Sequence, residues 1–309
     1  MKILLATDGS DSARQVVDFL ISFPLPADSS VTVLTVIDTG LFNDERLHGL
    51  DEDQRRQLRE TEQTIRSDAE RLVADEAARL REAGWSGTTE IRDGDPAEEI
   101  IQAAEDLGPD LIAMGTYGTG GIRHFLIGSV SDRVLEHACC SVLVVKPSPN
   151  LPLRAGAARA SLPWRILLSY DDSEPARKAA ALCASLPLDE QTEVLAISIM
   201  PMVHMYRQDI SQQLNSIWQQ KKHALEAALQ DMVSTLHWST PHVSAELRES
   251  SDVAEEILQT AADAGSDLIV LVYKGRKEIK RFLIGSITSR VAHHAPCSIL
   301  AVRERACGG

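Results

Sequence analysis

Glycine and serine residues in one segment of the chain have the spacing of a phosphate-binding loop. Gly115 and Gly118 follow an apolar run, and nine residues separate Gly118 from Gly128 and Ser129, where a helical pattern begins. Glycine lets a backbone approach an anion closely or adopt a positive φ. The free N–H groups and the dipole of a helix N-terminus favour a phosphate, and a serine there can cap the helix. The segment predicts a phosphate site that needs no lysine, although turns and a simple helix cap would use the same residues.

The elements that must position these residues follow from the hydrophobic pattern. Strands are predicted at residues 2–7, 31–37, 88–92, 111–115 and 142–145 of the first half, and helices at 10–22, 51–83, 96–107 and 129–137. Such alternation predicts a parallel sheet with helices on both faces. In open sheets of this kind, ligands bind beyond the carboxyl ends of the strands. The glycine segment begins at such an end.

The second half of the chain repeats the first. Residues 95–145 align without a gap with residues 252–302, and the starts of the two halves align through Asp8 and Asp171. Between the copies lies a segment rich in Pro, Ala and Gly, which is typical of a linker. The prediction is a domain at 1–147, a linker at 148–163 and a second domain at 164–309.

The spacing G-x2-G-x9-G-S resembles the nucleotide motif of the universal stress protein family, which reads GTYGTGGIRHFLIGS here. ILLATDGS, VTVLTVID, GDPAEEI and SVLVV match further landmarks of that family. The resemblance covers both halves. It implies two tandem doubly wound α/β domains of the adenine-nucleotide α-hydrolase-like type, each with a five-stranded parallel sheet in the order 3-2-1-4-5. It also implies a regulatory role in a stress response.

The same resemblance implies that the first domain binds ATP or ADP, with Mg²⁺ as a possible companion. Asp8 would lie beside the ribose or base, Val36 would hydrogen-bond adenine through its backbone, and Gly115 would approach the ribose. The phosphates would be surrounded by Gly118, Gly128, Ser129 and Val130. For Asp8 a role as a turn former is the alternative.

The second copy departs from this motif. Val272 stands in place of Gly115 and Asp172 in place of Gly9, so weak or absent ATP binding is expected there. A basic loop accompanies the change, and it is either a solvated face or a site for another anionic ligand or an acidic partner. Its basic residues are Lys274, Arg276, Lys277, Lys280 and Arg281.

Several function classes lack their sequence signatures. The chain has neither a Walker A sequence nor a G-x-S-x-G elbow, and neither catalytic nor metal-ligating residues are identifiable. We therefore expect a nucleotide-binding regulator with at most slow hydrolysis. The alternative is a nucleotide-free scaffold, or a binder of another anionic ligand through the basic loop.

Composition limits the partners. The formal net charge of −14 makes nucleic acid or a membrane surface an unfavourable partner. Five irregularly spaced cysteines do not describe a disulfide framework, so a reduced, cytoplasmic protein is expected. The last strand of each half is apolar and lies at a sheet edge, which predicts an internal pseudo-dimer of the two domains or a homodimer.

Overall fold

The computed structural model describes residues 1–39, 51–116, 127–147, 163–202, 208–237, 239–272 and 286–303. The chain divides into two compact units, of which the first holds Met1–Val145 and the second begins at Lys146. Most of the predicted linker 148–163 lies outside the described residues. In the part of the chain that is described, no helix has the length and apolarity to cross a membrane.

The first unit alternates five strands with four helices. Its strands are β1 (Lys2–Ala6), β2 (Ser30–Ile37), β3 (Ser86–Asp93), β4 (Leu111–Gly115) and β5 (Ser141–Val145). Its helices are α1 (Asp11–Ser22), α2 (Glu52–Glu82), α3 (Pro96–Leu107) and α4 (Ser129–His137). The strands are parallel and lie in the order β3-β2-β1-β4-β5. The predicted five-stranded doubly wound sheet is confirmed.

Local sequence explains where these helices begin and end. The side chains of Ser10, Asp51 and Asp95 cap α1, α2 and α3 by accepting hydrogen bonds from backbone N–H groups in the first turn. Helix α3 starts with proline and stops at Gly108, whose φ of 57° places it in the left-handed region. These signals lie within a few residues of each helix end, which makes them readable from sequence.

The second unit repeats the arrangement with a second set of five strands and four helices. Its strands are β6 (Arg165–Ser169), β7 (Glu193–Pro201), β8 (His242–Ser250), β9 (Leu268–Val272) and β10 (Ser298–Val302). Its helices are α5 (Glu174–Ser185), α6 (Gln208–Leu236), α7 (Val253–Asp263) and α8 (Ser286–His294). Within this unit the strands lie in the order β10-β9-β6-β7-β8. This is the same 3-2-1-4-5 order, so the predicted repeat of the fold is confirmed.

The cysteines only partly follow expectation. Cys140, Cys183 and Cys297 are buried and are not disulfide-bonded, as expected for small apolar residues. Cys139 is also buried but is disulfide-bonded. The expectation of a fully reduced chain is therefore wrong at this position, because spacing along the sequence does not reveal which thiols meet in the fold.

Candidate functional site

A cavity of about 540 Å³ lies beyond the carboxyl ends of β1, β2 and β4, with residues of α1, α3 and α4 also in its lining. Its volume falls in the range of roughly 300–1,000 Å³ that small-molecule sites occupy. The place agrees with the general rule for open α/β sheets, where ligands bind outside the carboxyl ends of the strands. The lining residues are Ala6, Thr7, Asp8, Ala13, Leu34, Val36, Asp38, Pro96, Ile100, Met114, Gly115, Thr116, Gly128, Ser129, Val130 and Ser131.

Six of the seven residues predicted from sequence line this one cavity. They come from four separate segments of the chain, and the fold brings them together as Asp8, Val36, Gly115, Gly128, Ser129 and Val130. The seventh, Gly118, lies outside the described residues, as do Gly275, Gly285 and the basic loop of the second half. Co-location in a cavity of ligand size is a geometric finding, and the binding role of each residue stays a prediction.

The backbone of Val36 faces an open part of the sheet. The last residue of β1, Ala6, pairs with Leu34, and the N–H of Thr7 donates to the carbonyl of Leu34 at 2.9 Å. Successive residues of a strand direct their backbone groups to alternate neighbours, so the N–H and C=O of Val36 point to the same side as those of Leu34. On that side β1 has already ended. Val36 therefore presents one donor and one acceptor at the cavity.

The carboxylate of Asp8 has the role that its turn-former alternative predicts. Its Oδ1 accepts a hydrogen bond from the N–H of Ser10 at 3.0 Å, which closes a turn between β1 and α1. Gly9, inside this turn, has a φ of 75°, a region that glycine occupies without steric cost. Asp8 is also exposed at the cavity, so the turn fixes the carboxylate in position for a ligand.

Gly115 is explained by helix packing. A Cβ at this position would lie 2.5 Å from the Oγ and 3.0 Å from the backbone carbon of Ser12 in α1. The hydroxyl of Ser12 also accepts a hydrogen bond from the N–H of Thr116 at 3.0 Å. The absent side chain would thus meet α1, so the predicted obstruction of a ribose by Val272 in the second unit does not follow from this geometry. At the position aligned with Ser12, the repeat has Pro175.

Within the part of the chain that is described, the N-terminus of α4 reaches the cavity without a side-chain cap. Gly128, with φ −68° and ψ 157°, is the N-cap residue, and Ser129 is the first residue of the helix. The expected capping by Ser129 is therefore wrong, because a cap must lie one position earlier with extended backbone angles. The N–H of Gly128 donates to the carbonyl of Thr116 at 2.7 Å, which ties the helix start to the end of β4.

Sequence reasoning missed the apolar wall of the cavity and two polar residues beside it. The apolar wall comes from β2, α3 and β4, in the form of Leu34, Pro96, Ile100 and Met114. Asp38 continues the two-residue period of Leu34 and Val36 beyond the end of β2. That period was a usable signal for Asp38. Thr116 gave none, since its importance depends on partners from distant segments.

Neutral groups and acids, without a basic side chain, make up the described lining of the cavity. The nearby cation Arg133 of α4 is engaged, with its guanidinium 3.0 Å from Asp95 and 3.0 Å from Glu98 in α3. The backbone N–H of Glu98, followed by the charge of Arg133, holds the pKa of Asp95 below its usual value. Among the described lining residues, the donors open to an anion are therefore backbone N–H groups and hydroxyls.

The corresponding place in the second unit keeps several of these contacts. Oδ1 of Asp171 accepts from the N–H of Ser173 at 3.2 Å, as Asp8 does from Ser10. Asp172 adopts a φ of 58° in the position of Gly9, and Arg177 pairs with its carboxylate at 3.0 Å. The extra negative charge expected from Asp172 is thus offset by a neighbouring cation.

Comparisons with known proteins agree with the fold and the repeat. The model of the universal stress protein family matches residues 1–146 and again residues 164–303. Universal stress protein MJ0531 of Methanocaldococcus jannaschii is 33% identical over 145 residues, which are 47% of this chain and 81% of that protein. Universal stress protein YxiE of Bacillus subtilis is 26% identical over 145 residues, 47% of this chain and 98% of its own length.

Among solved structures, a universal stress protein from Archaeoglobus fulgidus matches with a TM-score of 0.63. The match covers 99% of this chain and 97% of the other, at 21% identity. At that identity the likeness bears on the fold alone. The sequence matches to the family carry the assignment of each half.

Proposed function

Because this chain belongs to the universal stress protein family and carries the family's domain twice, we propose that its first unit binds an adenine nucleotide, ATP or ADP, and acts as a nucleotide-dependent regulator. The nucleotide would occupy the cavity beyond β1, β2 and β4. The second unit would bind ATP weakly or not at all. A role in a stress response is part of the same proposal.

One observation carries the proposal: a single cavity of about 540 Å³ joins an apolar wall, strand backbone of β2 beyond the end of its neighbour β1 and, within the described residues, a helix N-terminus without a side-chain cap. A nucleotide has three matching parts. Its base is flat and apolar on its faces, its edge carries both a donor and an acceptor, and its phosphates are anionic. Each part of the cavity suits one part of the nucleotide.

The apolar wall would hold the base. Adenine would lie against Leu34, Ile100 and Met114, and its edge would exchange two hydrogen bonds with the N–H and C=O of Val36. The backbone of a strand is rigid, so this pair of bonds would select a base with a donor beside an acceptor. Asp8, fixed by its bond to Ser10, would accept a hydrogen bond from a ribose hydroxyl.

The phosphates would lie at the start of α4. Backbone N–H groups of Ser129, Val130 and Ser131 belong to the first turn and lack intrahelical partners. The helix dipole adds a partial positive charge at this end. Neutral donors would thus bind the phosphates without a lysine, and Mg²⁺ brought by the nucleotide would offset the remaining charge.

A regulator fits this cavity better than a fast enzyme does. The carboxylate of Asp8 is used in a turn, and the hydroxyl of Ser131 donates to the carbonyl of Gly115 at 2.8 Å. General-base catalysis needs a group within hydrogen-bond reach of the attacking water. We propose that occupancy of the cavity, through its contacts with three strand ends and α4, is the signal that a partner detects.

The first test is to denature the purified chain and identify any released nucleotide by mass spectrometry. We expect ATP or ADP near one equivalent per chain. A chain that releases nothing and then fails to bind ATP in a calorimetric titration would favour the nucleotide-free scaffold. Two equivalents per chain would contradict the assignment of the site to the first unit alone.

The helix N-terminus can be tested with Ser129→Pro. Proline is favoured at the first helical position, and Gly128 already has the extended angles that precede proline, so α4 should be preserved while one N–H is lost. Losing a charge-assisted hydrogen bond of about 1.5–3 kcal/mol should weaken ATP binding roughly ten- to a hundredfold in calorimetry.

Two controls accompany that variant. Ser129→Ala removes only the hydroxyl, and Ser286→Pro makes the matched change at the start of α8 in the second unit. Both should bind ATP nearly as tightly as the unchanged chain. Equal weakening by Ser129→Pro and Ser286→Pro would mean that the effect does not come from a site in the first unit.

A further inference from the structure

We infer that Thr116 is a ligand-binding residue of this site and that its hydroxyl donates a hydrogen bond to the phosphate nearest the nucleoside. The inference rests on the proposed function of the cavity and adds to it a side-chain donor. Thr116 follows the last residue of β4 and is fully buried. It also lines the cavity.

The direction of the Thr116 side chain follows from its neighbours. A side chain on Gly115 would point to Ser12 in α1, on one face of the sheet. Successive residues of an extended chain point to opposite faces, so Met114 and Thr116 point to the other face. Both residues line the cavity, together with residues of α3 and α4. The Thr116 side chain therefore lies on the face of the sheet where α3 and α4 contribute to the cavity lining.

Several polar groups of Thr116 and its neighbours have hydrogen-bond partners. Its N–H donates to Ser12 Oγ at 3.0 Å, and its carbonyl accepts from the N–H of Gly128 at 2.7 Å. Nearby hydroxyls are also used, since Thr7 accepts from Gly9 and Ser131 donates to Gly115. Within the described part of the chain, Oγ1 of Thr116 has no hydrogen-bond partner.

A buried hydroxyl without a partner has a cost that a ligand can remove. Leaving such a group unsatisfied lowers stability by about 1–3 kcal/mol, which is why buried polar groups in proteins are almost always bonded. The backbone bonds on both sides of Thr116 hold its side chain in place. The group is thus pre-oriented, and a ligand oxygen in the cavity would satisfy it.

The position of Thr116 selects the phosphate. Its carbonyl bonds to the N-cap residue Gly128, so the threonine lies beside the helix end whose N–H groups attract anions. Gly115, the residue before it, is where the ribose is expected. A donor between these two points would meet the phosphate attached to the ribose. The described lining offers that phosphate no basic side chain.

The repeat supplies an internal contrast. The second unit keeps the contact between helix start and strand end, since Thr288 Oγ1 donates to the carbonyl of Val272 at 3.2 Å, as Ser131 does to Gly115. At the position aligned with Thr116 its sequence has Tyr273, which lies outside the described residues. A small hydroxyl residue is thus present in the copy that carries the intact motif.

The test compares Thr116→Val, which removes the hydroxyl at constant shape, with Thr116→Ser, which keeps it. Calorimetry measures the affinity of the full chain for adenosine, AMP, ADP and ATP. We expect Thr116→Val to weaken the binding of AMP, ADP and ATP by about tenfold each and to leave the binding of adenosine unchanged. We also expect it to raise the midpoint of the unfolding transition measured without nucleotide. Thr116→Ser should keep the affinity for all four.

Two outcomes would overturn the inference while leaving the proposed function intact. One is that Thr116→Val binds all nucleotides as tightly as the unchanged chain. The other is an equal loss for adenosine and AMP, which would place the hydroxyl on the nucleoside. If the unchanged chain binds none of the four ligands, the proposed function fails and this inference fails with it.

A control removes a hydroxyl that already has a partner. Thr288→Val in the second unit should lower the midpoint of nucleotide-free unfolding and leave every affinity unchanged. Opposite effects of Thr116→Val and Thr288→Val on stability would identify the first hydroxyl as unsatisfied without ligand. A fall in stability for both would show that Thr116 has a structural role instead.

Discussion

At the scale of single residues, the glycine motif combines two different physical requirements. Gly128 has ordinary extended angles, and its backbone joins the start of α4 to the end of β4. Gly115 is glycine because α1 packs against the strand at that point. The spacing of a single motif can therefore reflect both packing and ligand contact. The two causes predict different experimental results.

The packing explanation predicts that Gly115→Ala destabilises the first unit before any ligand is added. A Cβ 3.0 Å from the backbone carbon of Ser12 cannot be relieved by rotating a side chain, and overpacking of this kind costs about 1–3 kcal/mol. Urea denaturation of the nucleotide-free chain measures the loss. Unchanged stability combined with reduced ATP affinity would show that the glycine serves ligand approach instead.

Residue-level prediction from sequence succeeded where the signal was local. Both ends of helix α3 were predicted at the residues where the structure has them, because Pro96 marks its start and a glycine follows its end. Six predicted site residues met in one cavity because the motif sits at known strand ends. Thr116 was missed because the backbone bonds that fix it come from Ser12 and Gly128, which no local pattern connects to it.

At the scale of elements, α1 and α2 are joined by a partly buried set of charges. Arg79 in α2 lies 2.7 Å from Glu76 and 2.6 Å from Asp18 in α1. Burial raises the pKa of both carboxyl groups above their usual values, and the nearby Arg79 only partly opposes it. Arg79 is hydrogen-bonded to both desolvated carboxylates, and Arg14 adds only a weaker attraction to Glu76, so this junction carries an electrostatic cost near neutral pH.

In the second unit, the corresponding positions of α5 and α6 carry uncharged side chains. When α2 and α6 are aligned on their last buried leucines, Leu80 and Leu236, the charged residues of the first unit correspond to neutral ones. Asp18, Glu76 and Arg79 are replaced by Ala181, Met232 and Thr235. Met232 is buried as Glu76 is. The fold therefore tolerates either chemistry at this position, and no pattern in a single helix reveals which partner a charge will meet.

Transferring these residues, as Asp18→Ala with Glu76→Met and Arg79→Thr, should remove a pH dependence from the first unit. Because the pKa values of Asp18 and Glu76 are raised in the folded state, that state holds more protons than the unfolded one above about pH 4.5. The stability of the first unit therefore falls as the pH rises from there through the raised pKa values. The triple variant lacks both carboxylates and should gain on the unchanged chain as pH rises.

The measurement is urea unfolding of both proteins at about pH 5 and about pH 7.5. At the higher pH, we expect the triple variant to be at least as stable as the unchanged chain. Arg79→Thr alone serves as the contrast. It leaves two carboxylates without their cation and should destabilise by about 3 kcal/mol at neutral pH. A stability difference between the triple variant and the unchanged chain that does not vary with pH would contradict the argument.

At the scale of the whole molecule, duplication has preserved the backbone while the functional positions diverged. Both units have the 3-2-1-4-5 strand order, and both close the turn after the first strand with an aspartate. The geometry weakens two sequence arguments against binding in the second unit, because position 115 faces a helix and Asp172 is paired. Among the differences that remain between the units is the residue after the fourth strand, Thr116 in one and Tyr273 in the other.

This contrast predicts that nucleotide protects one unit only. A ligand that binds only the folded state raises the free energy of unfolding of the unit that holds it by RT ln(1 + [L]/Kd). This is about 2.7 kcal/mol when the ligand concentration is a hundred times Kd. Hydrogen exchange followed by mass spectrometry should therefore show ATP-dependent protection in peptides from β1, β2, β4 and α4, and little change in β6, β7, β9 and α8. Matched protection of both units would show that the second site binds despite Tyr273. Thr116→Tyr then tests the cause, since it should abolish the protection of the first unit if the residue after the fourth strand decides occupancy.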